Sequence, residues 1–195
     1  EFRRRAIAHP TDADPAFLEA AEASSANRNH QDPDGPAGEA ATTAKTEELA
    51  KLADLVIGLG GDNSVTYAMA MGSLGQELGT AGLITFDAHH DLRDGISNGS
   101  PVRRLVEAGL AGQRIVQIGI ADFSNSPEYA MRAMDLGITV IPRSALRSRT
   151  LQDTMAQALQ IAGAAGGPIH VDIDVDVCDR SVVPGCPAAA PGGIS

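Results

Sequence analysis

The sequence predicts an α/β fold of three layers, α-β-α, built on a central and mainly parallel sheet, and three observations carry that prediction. From about residue 54 onward, short β-rich apolar runs alternate with stretches of helical periodicity. Polar residues cluster at the ends of several of those runs, where open parallel sheets bind their ligands. The chain has 195 residues, 43% of them apolar, enough for one domain with a real core.

Residues 1–46 mix Asp, Glu, Ala, Pro and Asn with little apolar periodicity and read as an irregular N-terminal segment of the same domain. Within it "HQDPDGPAGEA" (30–40) reads as a turn-rich loop, and a short helix fits "DPAFLEAAEA". Residues 47–195 read as the α/β domain itself. Its strands are "DLVIGLG" (54–60), "GLITFDAH" (82–89), "RIVQIGIA" (114–121), "ITVIP" (138–142) and "PIHVDIDVDV" (168–177). Between them "SVTYAMAMGSLGQEL" (64–78), "SPVRRLVEAGL" (100–110), "SPEYAMRAMDLG" (126–137) and "TLQDTMAQALQIAGAA" (150–165) read as helices. The methionines Met69, Met71, Met131 and Met134 sit in Ala-rich helices and read as core filler. The chain opens on Glu1 and breaks off after "APGGIS", where a strand-to-helix connection is under way, so it reads as part of a longer protein.

With 25 acidic against 15 basic residues the formal net charge is −10, which disfavours nucleic acid as a partner. No apolar stretch approaches the roughly 18 residues of a membrane span, and no signal-peptide pattern is present. A soluble, cytoplasmic protein acting on a small molecule is the expectation. Cys178 and Cys186 lack metal-finger spacing and read as packing residues.

The chemistry concentrates at three strand ends: Asp62-Asn63-Ser64, Asp87-Ala88-His89-His90-Asp91, and Asp172, Asp174 and Asp176. Alternation with period two puts Asp87, His89 and Asp91 on one side of their segment, and His170, Asp172, Asp174 and Asp176 on one side of theirs. Five carboxylates held close together repel one another, and a bound cation is the economical compensation. Carboxylate oxygens with one imidazole suit Mn(II) or Mg(II) better than zinc. Two such cations bridged by carboxylates can hold a hydroxide as nucleophile, which points to hydrolysis.

Plainer readings apply to single residues. Asp62 or Ser64 caps the helix beginning at 64. His9 and His30 are incidental, and His170 lies about 13 Å upstream of Asp174 at roughly 3.3 Å per residue, too far to share its ion. The blandest reading of the whole is an acidic rim that binds Mg(II) or Ca(II), although a calcium site rarely needs a histidine such as His89 between two acids.

Together the "GGDNS", "FDAHHDLR" and "HVDIDVDVCDRSVVPGCPAAAPGG" stretches resemble the three signatures of the ureohydrolases, the binuclear manganese enzymes that include arginase, agmatinase, guanidinobutyrase and formimidoylglutamase. The likeness runs over residues 54–195. It implies two Mn2+ sites bridged by Asp87 and Asp174, with His89 and Asp176 completing the second ion's shell and Asp91 the first ion's. Asp172 stands where the family usually has a small polar residue and reads as lying behind the ligands, while Asp179 matches the acid of the family's Asp-Pro step. A homo-oligomer, trimer or hexamer, is implied by the same resemblance.

Two departures stand out. The family writes Gly-Gly-Asp-His-Ser with that His on the first ion; here Asn63 takes the place, a weaker neutral donor, so the first site is expected to be weak or empty. In "SNGSPVRRL" Asn98 stands where arginase and agmatinase carry a proton-relaying His, and the formimidoylglutamase branch does not. Arg93, Arg103 and Arg104 are candidates for a carboxylate-bearing substrate, with Asn98 beside them. The expected function is metal-dependent hydrolysis of a linear amidine C–N bond, guanidino or formimino, by a metal-bridging hydroxide, with Asp91 also handing on the proton. The alternative is a ureohydrolase-fold protein with attenuated or lost catalysis that serves as a structural or regulatory subunit.

Overall fold

The computed structural model describes residues 35–60 and 62–195. Four parallel strands form the sheet: β1 (Gly82–Phe86), β2 (Ile115–Ile120), β3 (Thr139–Pro142) and β4 (Ile169–Ile173). Their order is β3-β2-β1-β4. The chain steps outward from β1 through β2 to β3 and then returns to the other side of β1 with β4. The order therefore reverses at the β1/β4 pair, the place where an open α/β sheet offers a crevice at its carboxyl edge.

The helices are α1 (Gly35–Ala50), α2 (Ser64–Leu74), α3 (Pro101–Ala108), α4 (Pro127–Asp135) and α5 (Leu151–Ala162). Proline at the first position, where no amide hydrogen is needed, starts α3 and α4. Thr150 caps α5 by accepting from Asp153 N at 3.0 Å and donating back to its carboxylate at 2.7 Å. On one face of the sheet Leu83 and Ile115 pack with Ala70, Leu74, Leu105 and Ala133 of α2, α3 and α4. On the other, Ile84, Val116, Ile118 and Ile141 pack with Ala158 and Ala162 of α5. Both faces of the inner strands are covered, as the three-layer expectation required.

Two stretches differ from the sequence reading. Residues 35–46, expected to be irregular, belong to α1; the helix expected over "DPAFLEAAEA" lies outside the described residues, as do His9 and His30. Sequence periodicity missed α1 because its fastening is tertiary. Glu39 takes both guanidinium nitrogens of Arg104 at 2.7 and 2.8 Å, and that guanidinium also stacks on Tyr67 at 3.6 Å. Gly72 of α2 lets α1 approach closely, since a Cβ there would sit 2.5 Å from Thr43 O.

The second difference is "DLVIGLG". Residues 54–60 form no strand, and Leu55, Ile57 and Leu59 are exposed. The segment and the outer edge of β4 instead form opposite walls of one open cleft. A strand needs a neighbour to receive its backbone hydrogen bonds, and among the described residues nothing pairs with this one.

Candidate metal centre

The cleft, about 1360 Å³, lies at the carboxyl edge of β1 and β4 and is lined by Asn63, His89, Asp91, Arg93, Asn98, Asp172, Asp174 and Asp176. β1 ends at Phe86, and the next two residues stay on the sheet through Asp87 N to Ile118 O at 3.0 Å and Ala121 N to Ala88 O at 2.9 Å. The chain then turns sharply at Asp91, whose φ of 54° lies in the left-handed region. His89 and Asp91 thus line the cleft through a turn with Asp87 buried beside them, where the sequence alone suggested continued strand alternation. β4 ends at Ile173, and Asp174 opens a 3-10 turn, Val175–Val177, by accepting Asp176 N at 2.8 Å.

One group is already arranged as a ligand set. Donor atoms of Asp87, His89 and Asp176 all lie within 4.8 Å of one another. His89 Nδ1 stands 2.8 Å from Asp176 and 3.4 Å from Asp87. Asp176 also accepts Ala88 N at 3.0 Å, and Asp87 accepts His89 N at 2.6 Å. The other Asp87 oxygen is buried with no hydrogen-bond partner. An orphaned buried carboxylate oxygen costs free energy unless a proton or cation meets it. Two carboxylates and an imidazole gathered this closely fit a hard or borderline divalent ion.

The electrostatics agree. Burial pushes Asp87 up to about 7, despite its hydrogen bonds from His89, and Asp176 and Asp174 add repulsion. The hydrogen bonds to Asp176 and Asp87 raise His89 to about 10. Burial acts to raise Asp176, but the bonds from His89 and the Ala88 amide and the His89 charge together outweigh it and hold the carboxyl below its ordinary value. Burial lifts Asp91 well above the usual range and Asp172 to about 6. Removed from water and short of counter-charge, this cluster holds protons that a cation can replace.

The remaining expected ligands stand differently. Asn63 Nδ2 donates to Asp91 at 2.5 Å and to Asn98 O at 2.9 Å, while its Oδ1 accepts from Thr66 Oγ1 at 2.9 Å. The reverse amide orientation would set three oxygens face to face, so the network determines the orientation. Asn63 therefore shows Asp91 an N–H and has its oxygen already engaged. Asp174 is half-buried in the cleft wall with one oxygen on the Asp176 amide, and Asp172 accepts from Thr66 Oγ1 at 2.9 Å. Asp62, not Ser64, makes the local turn, accepting Ser64 N at 2.8 Å. His170 faces Ser73 at 3.3 Å, away from the ligand set.

Arg93 and Asn98 sit exposed at the rim. Arg103, expected beside them, is directed elsewhere. Its guanidinium bonds Arg93 O at 2.6 Å, Gly95 O and the Glu107 carboxylate, and it does not line the cleft. Arg103 shapes the loop that presents Arg93 and Asn98. Arg104 is spent on Glu39.

Several supporting residues escaped the sequence reading. Thr66 joins Asn63 to Asp172, Gln117 and Asn125 hold the His90 backbone, and buried Arg143 donates to Asp176 O at 3.2 Å. Gln117 left a visible signal: it is the lone polar side chain in the apolar run "IVQIGIA" (115–121).

A family profile described as Arginase family matches residues 12–195. The chain belongs to the arginase family. Among its relatives in that family, formimidoylglutamase of Bacillus subtilis is 39% identical over 141 residues, 70% of this chain and 44% of that protein. The crystal structure of that enzyme superposes with a TM-score of 0.76 at 33% identity, covering 83% of this chain and 52% of the other. Formiminoglutamase of Trypanosoma cruzi, solved with Mn2+, gives a TM-score of 0.68 at 25% identity over 79% of this chain and 54% of that one. The arginase-family chain described here spans about half the length of the relatives it matches.

Proposed function

We propose that the protein is a metal-dependent hydrolase of linear amidine C–N bonds, acting on a formimino or guanidino group. The observation that carries this reading is the convergence of donor atoms of Asp87, His89 and Asp176 within 4.8 Å of one another, with a second Asp87 oxygen buried and unpartnered beside them. Support comes from the formimidoylglutamase likeness and from Mn2+ in a family structure. Asp87, His89 and Asp176 would hold the tighter Mn(II), and Asp91 and Asp174, with Asn63, a weaker one. Bound Mn(II) supplies Lewis-acid charge and brings the pKa of water toward neutrality.

The chain's own residues do the rest. Arg93 and Asn98 at the rim are placed to receive a carboxylate-bearing substrate, with the amidine end directed toward the acids. Hydrolysis adds water to the amidine carbon and breaks its C–N bond, and the departing nitrogen must gain a proton. Asp91, buried and anchored by Asn63, is the carboxyl placed to hold that proton and give it up. Cytoplasmic residence and a homo-oligomer belong to the same reading, and light scattering on the purified chain tests the second.

The first experiment quantifies Mn, Zn and Mg per chain before and after Mn(II) reconstitution. Release of urea from agmatine, 4-guanidinobutanoate and arginine, and of formamide or ammonia from formiminoglutamate, is then followed. Bound Mn(II) with turnover of one substrate supports the proposal. No metal uptake and no turnover after reconstitution would sink it.

A further inference from the structure

Gln117 is completely buried in the middle of β2, and both ends of its amide go to a single residue. Its Nε2 donates to His90 O at 2.8 Å, and its Oε1 stands 2.7 Å from His90 Nδ1. The bond to the carbonyl fixes the amide orientation, so His90 Nδ1 carries a proton and donates it. Asn125 completes the hold from the next loop: its Oδ1 accepts His90 N at 3.1 Å, and its Nδ2 donates to Ala88 O at 2.9 Å and Ala121 O at 3.2 Å. His90 is thereby tied at its amide, its carbonyl and its ring. The residues on either side of it are His89 and Asp91, which face the cleft, and the turn there includes a strained left-handed residue.

We propose that Gln117, with Asn125 as its accessory, is a positioning residue for the metal-ligand loop: by clamping His90 it sets where His89 and Asp91 present their donor atoms. This rests on the metal-centre reading above. A polar side chain buried in a β-strand core costs free energy unless fully hydrogen-bonded, and every side-chain bond Gln117 makes goes to this one loop residue. Partners held behind metal ligands in this way typically alter metal affinity or activity by about 10–100-fold when removed.

The test compares Gln117→Met, which keeps the volume, and Asn125→Ala, on the cleft side of the loop where no core can collapse, with the unsubstituted chain. Two readouts are taken. Amide hydrogen exchange of the metal-free protein follows His90 against Val116 and Ile118 of β2. Titration calorimetry follows Mn(II) binding, with kcat and KM for the best substrate. The expected result is faster exchange at His90 with β2 still protected, Mn(II) affinity lower by about tenfold or more, and a fall in kcat with KM little changed. Folded variants with unaltered His90 exchange and unaltered Mn(II) affinity would overturn the inference. If the unsubstituted chain takes up no Mn(II), the metal-centre reading fails, and the exchange data alone decide: loss of His90 protection supports the clamp and retained protection overturns it.

Discussion

Asn63 shows how one residue can alter a site without displacing it. Its amide ties Asp91 and the Asn98 carbonyl on one side and Thr66 on the other, so its oxygen is engaged before any cation arrives. Asn63→His replaces a neutral amide with an imidazole nitrogen, a better donor to a transition metal. We expect the variant to bind Mn(II) more tightly at the weaker site, raising the reconstituted Mn content per chain; an unchanged content would show that Asn63 does not limit that site. The opposite experiment is Asp87→Asn. That change takes the negative charge from the centre of the ligand set, and Mn(II) uptake should fall by at least about tenfold, read by calorimetry against a circular dichroism control for folding.

At the scale of elements, the two ligand-bearing turns touch each other through Gly119. This residue sits at the register shift between Ile118 and Ile120 with a φ of +96°, and a Cβ on it would lie 2.4 Å from Val177 Cγ2. Val177 ends the 3-10 turn that holds Asp176. Gly119→Ala therefore combines backbone strain with displacement of a ligand-bearing turn, and about 1–3 kcal/mol of destabilisation is expected from the overpacking. Chemical denaturation measures that loss. Mn(II) affinity measured on the folded fraction should fall as well, whereas a change confined to stability would separate Gly119 from the site. Much at this scale was legible in the sequence: β1 to β4 and α2 to α5 lie within a few residues of the runs that periodicity marks out. Residues 54–60 carry the same strand pattern but remain unpaired, and α1 lacks an apolar stripe but is fastened by Glu39, which meets the Arg104 guanidinium that stacks on Tyr67.

For the whole molecule, pH acts on stability through the buried acids, and a bound metal would act with it. Burial raises Asp87 to about 7 and Asp172 to about 6 from an ordinary 3.8. A carboxyl whose value is raised on folding stabilises the fold in its protonated form. That contribution is complete below 3.8 and disappears as pH rises through 6 to 7. His89, raised to about 10 first by its bond to Asp176, acts in the same direction from its ordinary 6.5 upward. Asp176, held below its ordinary value, acts in the opposite direction and only in acid. His170, which burial lowers to about 4, and His90, also lowered by burial, act in the opposite direction below their ordinary 6.5, so the metal-free protein should lose thermal stability from about pH 6.5 to 8. Mn(II), competing with those protons, should bind more tightly over the same window and restore the loss. Calorimetric melting with chelator and with Mn(II) at both pH values checks this, and a chelated sample more stable at pH 8 than at pH 6.5 would contradict it.

The residues that carry chemistry were legible in the sequence because the signal is local. Apolar runs of strand length end in Asp and His, and the "DAHHD" and "DIDVD" stretches place Asp87, His89 and Asp91, and likewise Asp172, Asp174 and Asp176, at steps of two whatever surrounds them. Sequence alone therefore determined the three layers, the parallel strands and the acidic edge. Tertiary structure decided which donors meet. Asp87, His89 and Asp176 come within 4.8 Å because the strand order reverses between β1 and β4. Asn63 turns its N–H toward Asp91, Arg103 folds back on its own loop, and Gln117 grips His90, each through partners 8 to 35 residues away in the chain. Such contacts depend on how distant segments pack against one another, and no pattern within a single segment encodes them.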